Sequence, residues 1–200
     1  MDLAKNGLLI RSLRQSKGLT QKQVAEKIGV VPKTVSKWEN GKGFPDISTL
    51  SILADILGVS ERILLAGSLV KNKLDSGNMA RTKFFVCPEC GSAVQGVGEC
   101  QILCCGKVLS PLVPTAIDGD HAISVSEVED EFFVEIAHPM AKEHFIAFIA
   151  YLRPDKAFTV RLYPEQDCAV RIPKLYGGKI VYYCSKHGLF EFNPQKRKLK

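Results

Sequence analysis

Two short stretches carry most of the information about the second half of this chain. They are His138-Pro139-Met140-Ala141-Lys142-Glu143-His144 and Cys184-Ser185-Lys186-His187. All four histidines of the 200 residues fall in the last 80 positions, at predicted strand ends or turns: His121, His138, His144 and His187. Imidazole is the commonest transition-metal ligand, and four imidazoles with one thiolate form a nitrogen-rich set that suits iron. The alternative is that these are ordinary turn and core histidines beside an unrelated buried cysteine.

The sequence around these residues alternates between apolar and polar positions from residue 122 onward. This period of two predicts seven short strands, separated by Asp-Gly, Arg-Pro-Asp, Tyr-Pro-Glu and Gly-Gly turns. The predicted strands are Ile123–Val128, Phe133–Ile136, Phe145–Leu152, Phe158–Tyr163, Ala169–Ile172, Lys179–Cys184 and Leu189–Phe192. Seven such strands indicate an antiparallel β-sandwich over residues 113–193.

The pattern HPM-x3-H followed by C-x2-H-G-[LF] resembles the iron centre of the desulfoferrodoxin and neelaredoxin family of superoxide reductases. The resemblance implies an immunoglobulin-like sandwich that holds ferrous iron through four equatorial histidines and one axial cysteine. The implied ligands, which are also the catalytic residues, are His121, His138, His144, Cys184 and His187. At the open sixth position superoxide would be reduced to hydrogen peroxide, with electrons from a donor such as rubredoxin or a reductase.

The first ligand motif departs from the family pattern. Members usually carry Glu-Lys-His-x-Pro there, whereas this chain has Gly119-Asp120-His121-Ala122-Ile123. A glycine replaces the glutamate that can occupy the sixth position, and an aspartate replaces the lysine that attracts the anion. The local charge has changed sign, so the reaction with superoxide should be slower than in a standard member.

A second metal site is indicated by four cysteines, Cys87, Cys90, Cys104 and Cys105. A C-x2-C knuckle presents two sulfurs to one ion, and four sulfurs make a closed tetrahedral site for which zinc is the default. The adjacent pair before Gly106 resembles instead desulforedoxin and the N-terminal centre of desulfoferrodoxin, which implies iron, with zinc as the alternative. Of the remaining cysteines, Cys100 would be a spare thiol in this segment, and Cys168 a small buried apolar residue.

The first 66 residues predict five helices joined by short turns. Apolar positions from Gly7 to Gln15 give the first, and caps or glycine stops bound the others at Gln21–Ile28, Pro32–Trp38, Ile47–Leu57 and Glu61–Leu65. The stretch LTQKQVAEKIGVVPKTVSKWENGKGFPDISTLSILADILGVS resembles the Cro/repressor-like helix-turn-helix regulators of the xenobiotic-response-element family. Val24, Ala25, Ile28, Val35 and Trp38 would be its packing set.

The resemblance implies double-stranded DNA as a partner and a homodimer that reads two half-sites about one helical turn apart. On the third helix, Lys33, Thr34, Ser36 and Lys37 would face the major groove, whereas Gln21 and Asn40 would contact the phosphate backbone. The alternative is a dimerisation or protein-docking module that has lost DNA binding.

Charge separates the parts of the chain. Residues 1–67 carry 10 basic and 6 acidic side chains, and residues 84–192 carry 9 and 14. A polar linker over 67–83, with a short helix expected at 68–74, joins the helices to a four-cysteine domain at 84–112. The basic tail 194–200 ends in Lys196-Arg197-Lys198-Leu199-Lys200. The sequence thus predicts a multidomain α + β protein.

Two functions fit this set of domains. One is a DNA-binding superoxide reductase that couples its redox state to transcription, and the other is a non-enzymatic regulator that senses iron or redox state. A third and weaker interpretation is a structural zinc protein with a vestigial β domain. No apolar run of 18 residues is present and the N-terminus is charged, so we expect a cytoplasmic protein without a membrane partner.

Overall fold

Five helices form the N-terminal unit of the computed structural model, which describes residues 2–174 and 177–194. They are α1 (Leu3–Ser16), α2 (Gln21–Ile28), α3 (Pro32–Glu39), α4 (Ile47–Leu57) and α5 (Glu61–Ala66). Thr20 and Gln23 form a reciprocal capping box at the start of α2, and the Asp46 carboxylate accepts a hydrogen bond from Thr49 N at the start of α4. These caps explain why both helices begin where the sequence predicts.

The core of this unit lies where the helices meet. The predicted packing set is confirmed, because Val24, Ala25, Val35 and Trp38 are buried and Ile28 packs against them. Ala25 is fully buried, so its small side chain allows α2 close to its neighbours.

The first helix differs from the prediction. It begins at Leu3, not Gly7, because Asp2 caps it by accepting a hydrogen bond from Lys5 N. Gly7 lies inside the helix, where a Cβ atom would stand 2.5 Å from the carbonyl oxygen of Trp38. This glycine permits α1 to approach α3 and does not mark a helix end.

Two expectations concern the segments that follow the helices and the sandwich. The short helix expected at 68–74 does not form, since those residues have no regular secondary structure. Its three apolar positions are too few to bury a helical face, and Leu74 is fully exposed. The predicted basic tail, apart from Pro194, lies outside the described residues.

A buried ion pair ties the first helix to the third. Arg14 donates from Nε to Glu39 Oε1 at 2.5 Å and from a second guanidinium nitrogen to Glu39 Oε2 at 3.0 Å. Its remaining terminal nitrogen donates to Leu19 O at 2.6 Å. Glu39 is only 2% exposed, so its charge depends on these donors for compensation.

The C-terminal unit begins at Asn72 and consists of short antiparallel strands. The first four, which the sequence analysis does not predict individually, are β1 (Lys83–Val86), β2 (Ala93–Gly96), β3 (Ile102–Cys104) and β4 (Lys107–Leu109). They pair as two hairpins, β1 with β2 and β3 with β4.

All seven predicted sandwich strands are present. They are β5 (Ile123–Val128), β6 (Glu131–Ile136), β7 (Ile146–Leu152), β8 (Ala157–Arg161), β9 (Ala169–Pro173), β10 (Lys179–Cys184) and β11 (Gly188–Phe192). One sheet has the order β11-β10-β7-β8 and the other β5-β6-β9. The apolar core between them includes Val134, Ile149, Ile180 and Tyr182.

The central strand β7 is buried along its whole length, which explains its unbroken apolar sequence IAFIAYL. Ile149 and Tyr151 face the sandwich core, whereas Phe148 and Ala150 belong to a second apolar cluster on the outer face of the sheet. Phe84 of β1 covers that outer face, and its ring stacks on Phe148 with 5.0 Å between centroids. The four-cysteine hairpins are therefore packed onto the sandwich.

Among the described residues, no helix combines the length and the apolar character needed to cross a membrane.

We expect Arg14→Ala to destabilise the helical unit by about 3–5 kcal/mol, because it leaves the Glu39 carboxylate buried and uncompensated. Trp38 is the only tryptophan of the chain and is 6% exposed, so its fluorescence during urea unfolding reports on this unit. The control is Lys22→Ala, which removes the exposed Lys22–Glu26 pair and should cost less than about 0.5 kcal/mol. Equal losses in the two variants would contradict the role of the buried pair.

Candidate metal centres

The four predicted sulfur ligands lie together at the ends of the two hairpins. Cys87 and Cys90 flank a turn in which Gly91 N donates to Cys87 O, and Cys104 and Cys105 lie at the β3–β4 turn. The sulfurs of Cys90 and Cys104 are 3.5 Å apart, and all four sulfurs lie within 4.8 Å of one another. Cys105 has a left-handed backbone (φ 48°), which directs two adjacent side chains into one cluster.

This spacing fits one metal ion. A tetrahedron of sulfurs at the usual bond length of about 2.3 Å has edges of about 3.8 Å, and the adjacent pair Cys104–Cys105 is 4.0 Å apart. A hydrogen bond with Ser92 lowers the pKa of Cys90 to about 6, whereas the neighbouring Cys90 raises the pKa of Cys104 to about 12. Crowded thiols that cannot all ionise alone are stabilised as thiolates by a cation.

The remaining cysteines lie elsewhere. Cys100 is exposed in the same segment, with its sulfur beside Gly96, and it is not part of the cluster. Cys168 is buried in the sandwich core as expected, and burial raises its pKa to about 12.

The histidines form a ring of nitrogens at one end of the sandwich. Successive contacts are His138 Nε2 to His144 Nε2 (3.1 Å), His144 Nε2 to His187 Nδ1 (3.2 Å) and His187 Nδ1 to His121 Nε2 (3.1 Å). The fourth pair, His121 and His138, offers nitrogens within 4.8 Å of each other. A square with edges as long as the 3.1 Å contacts would have its centre about 2.2 Å from each corner (3.1 Å divided by √2), close to the metal–imidazole bond length of about 2.0–2.1 Å. The ring fits a metal ion.

The thiol of Cys184 completes the group. Its sulfur is 3.5 Å from His138 Nε2 and 3.6 Å from His187 Nδ1. These nitrogens are opposite corners of the ring, and the sulfur is nearly equidistant from them. Cys184 is fully buried, and the thiol therefore approaches from the protein interior.

Sheet pairing explains why residues so far apart in sequence meet here. Ile123 pairs with Ile136, so the residues just before β5 and just after β6, His121 and His138, share one edge. In the other sheet Cys184 pairs with Ile146 and with Gly188, which brings the segments carrying His144 and His187 to that edge.

The electrostatics keep two of the imidazoles, those of His138 and His144, in the neutral form that binds metals. Burial, reinforced by His144, lowers the pKa of His138 to about 4. Burial also lowers the pKa of His144, with further contributions from the charges of His187 and Lys186. Metal binding at neutral pH would thus need no deprotonation of these two residues.

Sequence analysis missed Asp118. Its carboxylate lies 2.5 Å from His121 Nδ1, which leaves Nε2 directed into the ring. Phe190 stacks on the His121 ring at 4.4 Å, and Tyr182 donates a hydrogen bond to His121 O at 2.7 Å. A carboxylate that fixes the tautomer of a histidine is common in metal sites, and an aspartate three positions before the histidine was the available signal.

A cleft gives solvent access to the ring. It is lined by Gly119, Asp120, Ala137, His138, Pro139 and His144. Its walls do not include Cys184, so the buried thiol does not lie on the accessible side of the ring. Asp120 brings a negative charge to this opening.

In the helical unit, Lys33 and Lys37 are exposed on α3, and neither forms an ion pair with any described residue. Thr34 and Ser36 are half-buried. Asn40 donates to Ser36 O at 2.7 Å, and Gln21 Nε2 donates to Glu39 Oε2 at 2.8 Å. Gln21 thus supports the buried ion pair in addition to its predicted backbone role.

The fold and the site define a metal-binding β-sandwich protein that also carries a helix-turn-helix domain. A helix-turn-helix family model matches residues 10–64. Desulfoferrodoxin of Syntrophotalea carbinolica is 30% identical over 121 residues, which cover 55% of this chain and 94% of the relative. The chain belongs to the desulfoferrodoxin family, with the helix-turn-helix domain fused ahead of the shared region.

Two further similarities concern the N-terminal and the C-terminal part of the chain. The HTH-type transcriptional activator BcrR of Enterococcus faecalis is 34% identical over 74 residues, and the match spans 37% of this chain and only 36% of that relative. The crystal structure of the superoxide reductase from Treponema pallidum aligns with a TM-score of 0.49 at 20% identity, over 56% of this chain and 97% of that one.

We predict that Cys104→Ser removes the metal and the visible absorption of the four-cysteine cluster while the histidine ring keeps its metal, because the two ligand sets share no residue. Metal analysis should fall from two ions per chain to one. Cys100→Ser, a cysteine of the same segment outside the cluster, should retain both. Loss of both metals from Cys104→Ser would show instead that the hairpins and the sandwich fold only together.

Proposed function

We propose that the protein is a DNA-binding superoxide reductase, which reduces superoxide to hydrogen peroxide at iron held by His121, His138, His144, His187 and Cys184. The observation that carries the proposal is the group of four imidazole nitrogens in successive contact, with one buried thiol against two of them and a cleft at the accessible side. The family relationship supports it.

The donor set favours iron over zinc. Structural zinc is almost always bound by four ligands in a tetrahedron, whereas five donors in a ring-and-axis arrangement suit a metal that accepts five or six. The four-cysteine cluster is proposed to hold a second iron, with zinc as the alternative, because a sulfur tetrahedron accepts either.

Residues of the chain orient the ligands of the iron and leave one side of the nitrogen ring accessible. Asp118 fixes the tautomer of His121, and burial holds Cys184 on the side away from the cleft. An anion that enters the cleft meets the accessible side of the nitrogen ring. When bound, ferrous iron would supply the electron that superoxide needs, together with two protons from solvent, to become hydrogen peroxide.

The site must be reduced again after each turnover. Cys90 and Cys105 are exposed, so an external donor such as rubredoxin or a reductase would reach the four-cysteine cluster from solvent. A homodimer that binds double-stranded DNA through α3 completes the proposal. We expect the protein in the cytoplasm, because DNA is found there and because the reducing conditions keep cysteine ligands free of disulfides.

The second candidate is a non-enzymatic regulator that senses iron or redox state. The acidic rim favours it, since Asp120 lines the cleft and Asp118 is 61% exposed beside it. Negative charge at the opening repels superoxide and lowers the association rate. A structural zinc protein with a vestigial sandwich is the third interpretation, and the complete five-donor group counts against it.

We expect Asp120→Lys to raise the rate constant for superoxide reduction about ten-fold at low ionic strength, because it reverses the charge at the cleft. The gain should shrink as salt is added. Asp130→Lys makes the same charge change at the far β5–β6 turn and should have little effect. Stopped-flow spectroscopy of the reduced iron protein measures both. If wild-type protein reacts no faster than free ferrous ion while its oxidation changes DNA affinity, the regulator interpretation replaces the enzyme.

For DNA, we expect Lys33→Ala or Lys37→Ala to weaken specific operator binding by about 1–3 kcal/mol if the side chain contacts a base edge. Gln21→Ala should weaken binding more evenly across sequences. Arg62→Ala removes one exposed charge from α5, which packs on α1 and α4, and is the matched control. Fluorescence anisotropy with genomic fragments measures the affinities. Unchanged binding after deletion of residues 1–66 would rule out this domain as the DNA contact.

A further inference from the structure

Lys186 lies in the turn between β10 and β11, flanked by residues that contact the segment carrying His144. Ser185 N donates to Phe145 O at 2.9 Å, and Phe145 N donates to Ser185 Oγ at 3.1 Å. On the other side, His187 Nδ1 is 3.2 Å from His144 Nε2. The backbone of Lys186 is therefore fixed beside the histidine ring while its side chain remains exposed.

The charges around the ring are unequal. The Asp118 carboxylate is bound to His121, whereas Asp120 lines the cleft and forms no ion pair with any described residue. Lys142, on the segment between His138 and His144, has Glu165 as a partner at 3.8 Å. Lys186 has no such partner among residues 2–174 and 177–194.

The charge of Lys186 is close enough to act at the ring. Lys186 directly precedes His187, whose Nδ1 lies 3.2 Å from His144 Nε2 and 3.1 Å from His121 Nε2. An uncompensated charge acts over a distance of about one Debye length, roughly 8 Å at physiological ionic strength.

We propose that Lys186 is the residue that attracts small monovalent anions, superoxide among them, to the accessible side of the histidine ring. The choice of superoxide as the anion rests on the proposed function. The choice of Lys186 as the residue rests on the geometry of the β10–β11 turn. In this chain Lys186 opposes Asp120, so the two side chains set the anion affinity of the cleft in opposite directions.

The first experiment measures anion binding without turnover. Protein loaded with Co²⁺ is titrated with azide and followed by visible absorption, after metal analysis has confirmed equal loading. At low ionic strength Lys186→Ala should weaken azide binding about two- to threefold and Lys186→Glu about five- to tenfold, while Lys186→Arg should match wild type. In about 1 M salt, where the Debye length is about 3 Å, the differences should disappear.

The matched control is Lys156→Glu, which makes the same charge change in the β7–β8 turn, at the end of β7 opposite the histidine ring. Because the Debye length is shorter than that strand, it should weaken azide binding less than twofold. Equal effects of Lys156→Glu and Lys186→Glu would overturn the proposal, as would salt-independent loss of binding in Lys186→Glu.

The second experiment separates this inference from the function. The same variants, loaded with iron and reduced, are mixed with superoxide. If the wild type is inactive but Lys186→Glu weakens azide binding, the superoxide reductase proposal fails and the role of Lys186 stands. If the wild type is active and Lys186→Glu neither slows it nor weakens azide binding, the role of Lys186 fails alone.

Discussion

The contact between His187 and His121, 3.1 Å across a sequence separation of 66 residues, depends on the pairing of strands in two sheets. Strand pairing is set by the backbone, and a shift by one residue would move every side chain to the opposite face. The register shift between Tyr183 and Cys184 in β10 lies beside the thiol that the site requires. The metal-binding end of the sandwich is thus the point at which both sheets must have the correct register together.

The outer face of the four-stranded sheet carries a second constraint. The four-cysteine hairpins have a small core of their own, centred on Phe85, Cys87 and Leu109. Phe84 extends that packing to Phe148, and the Phe148 ring stacks on Tyr183 at 5.6 Å. The two candidate metal centres are therefore attached to the same sheet, and the stacked rings of Phe84, Phe148 and Tyr183 connect the hairpins to the strand that ends in Cys184.

Charge is distributed differently in the two units. In the helical unit, the exposed lysines of α3 face outward while the acidic Glu39 is buried under Arg14. At the sandwich, Asp120 lines the cleft, and we propose that Lys186 opposes its charge. Long-range electrostatics act mainly on association rates. In the proposed function, the distribution of these charges would therefore set how fast an anion reaches the ring.

Signals in the sequence predicted the secondary-structure elements and the types of residue at the candidate metal centres. Caps and glycine stops predicted α2 and α4, period-two alternation predicted the seven sandwich strands, and the spacing of cysteines and histidines predicted two groups of metal-binding residues. These signals are local, since each depends on residues within a few positions of one another. Contacts between distant segments became visible only in the folded chain: Gly7 inside α1 where that helix meets α3, Phe190 stacked on the ring of His121, and the position of Lys186 beside His144. Such contacts join segments whose sequences carry no mutual signal, because their proximity is created by sheet register and helix packing.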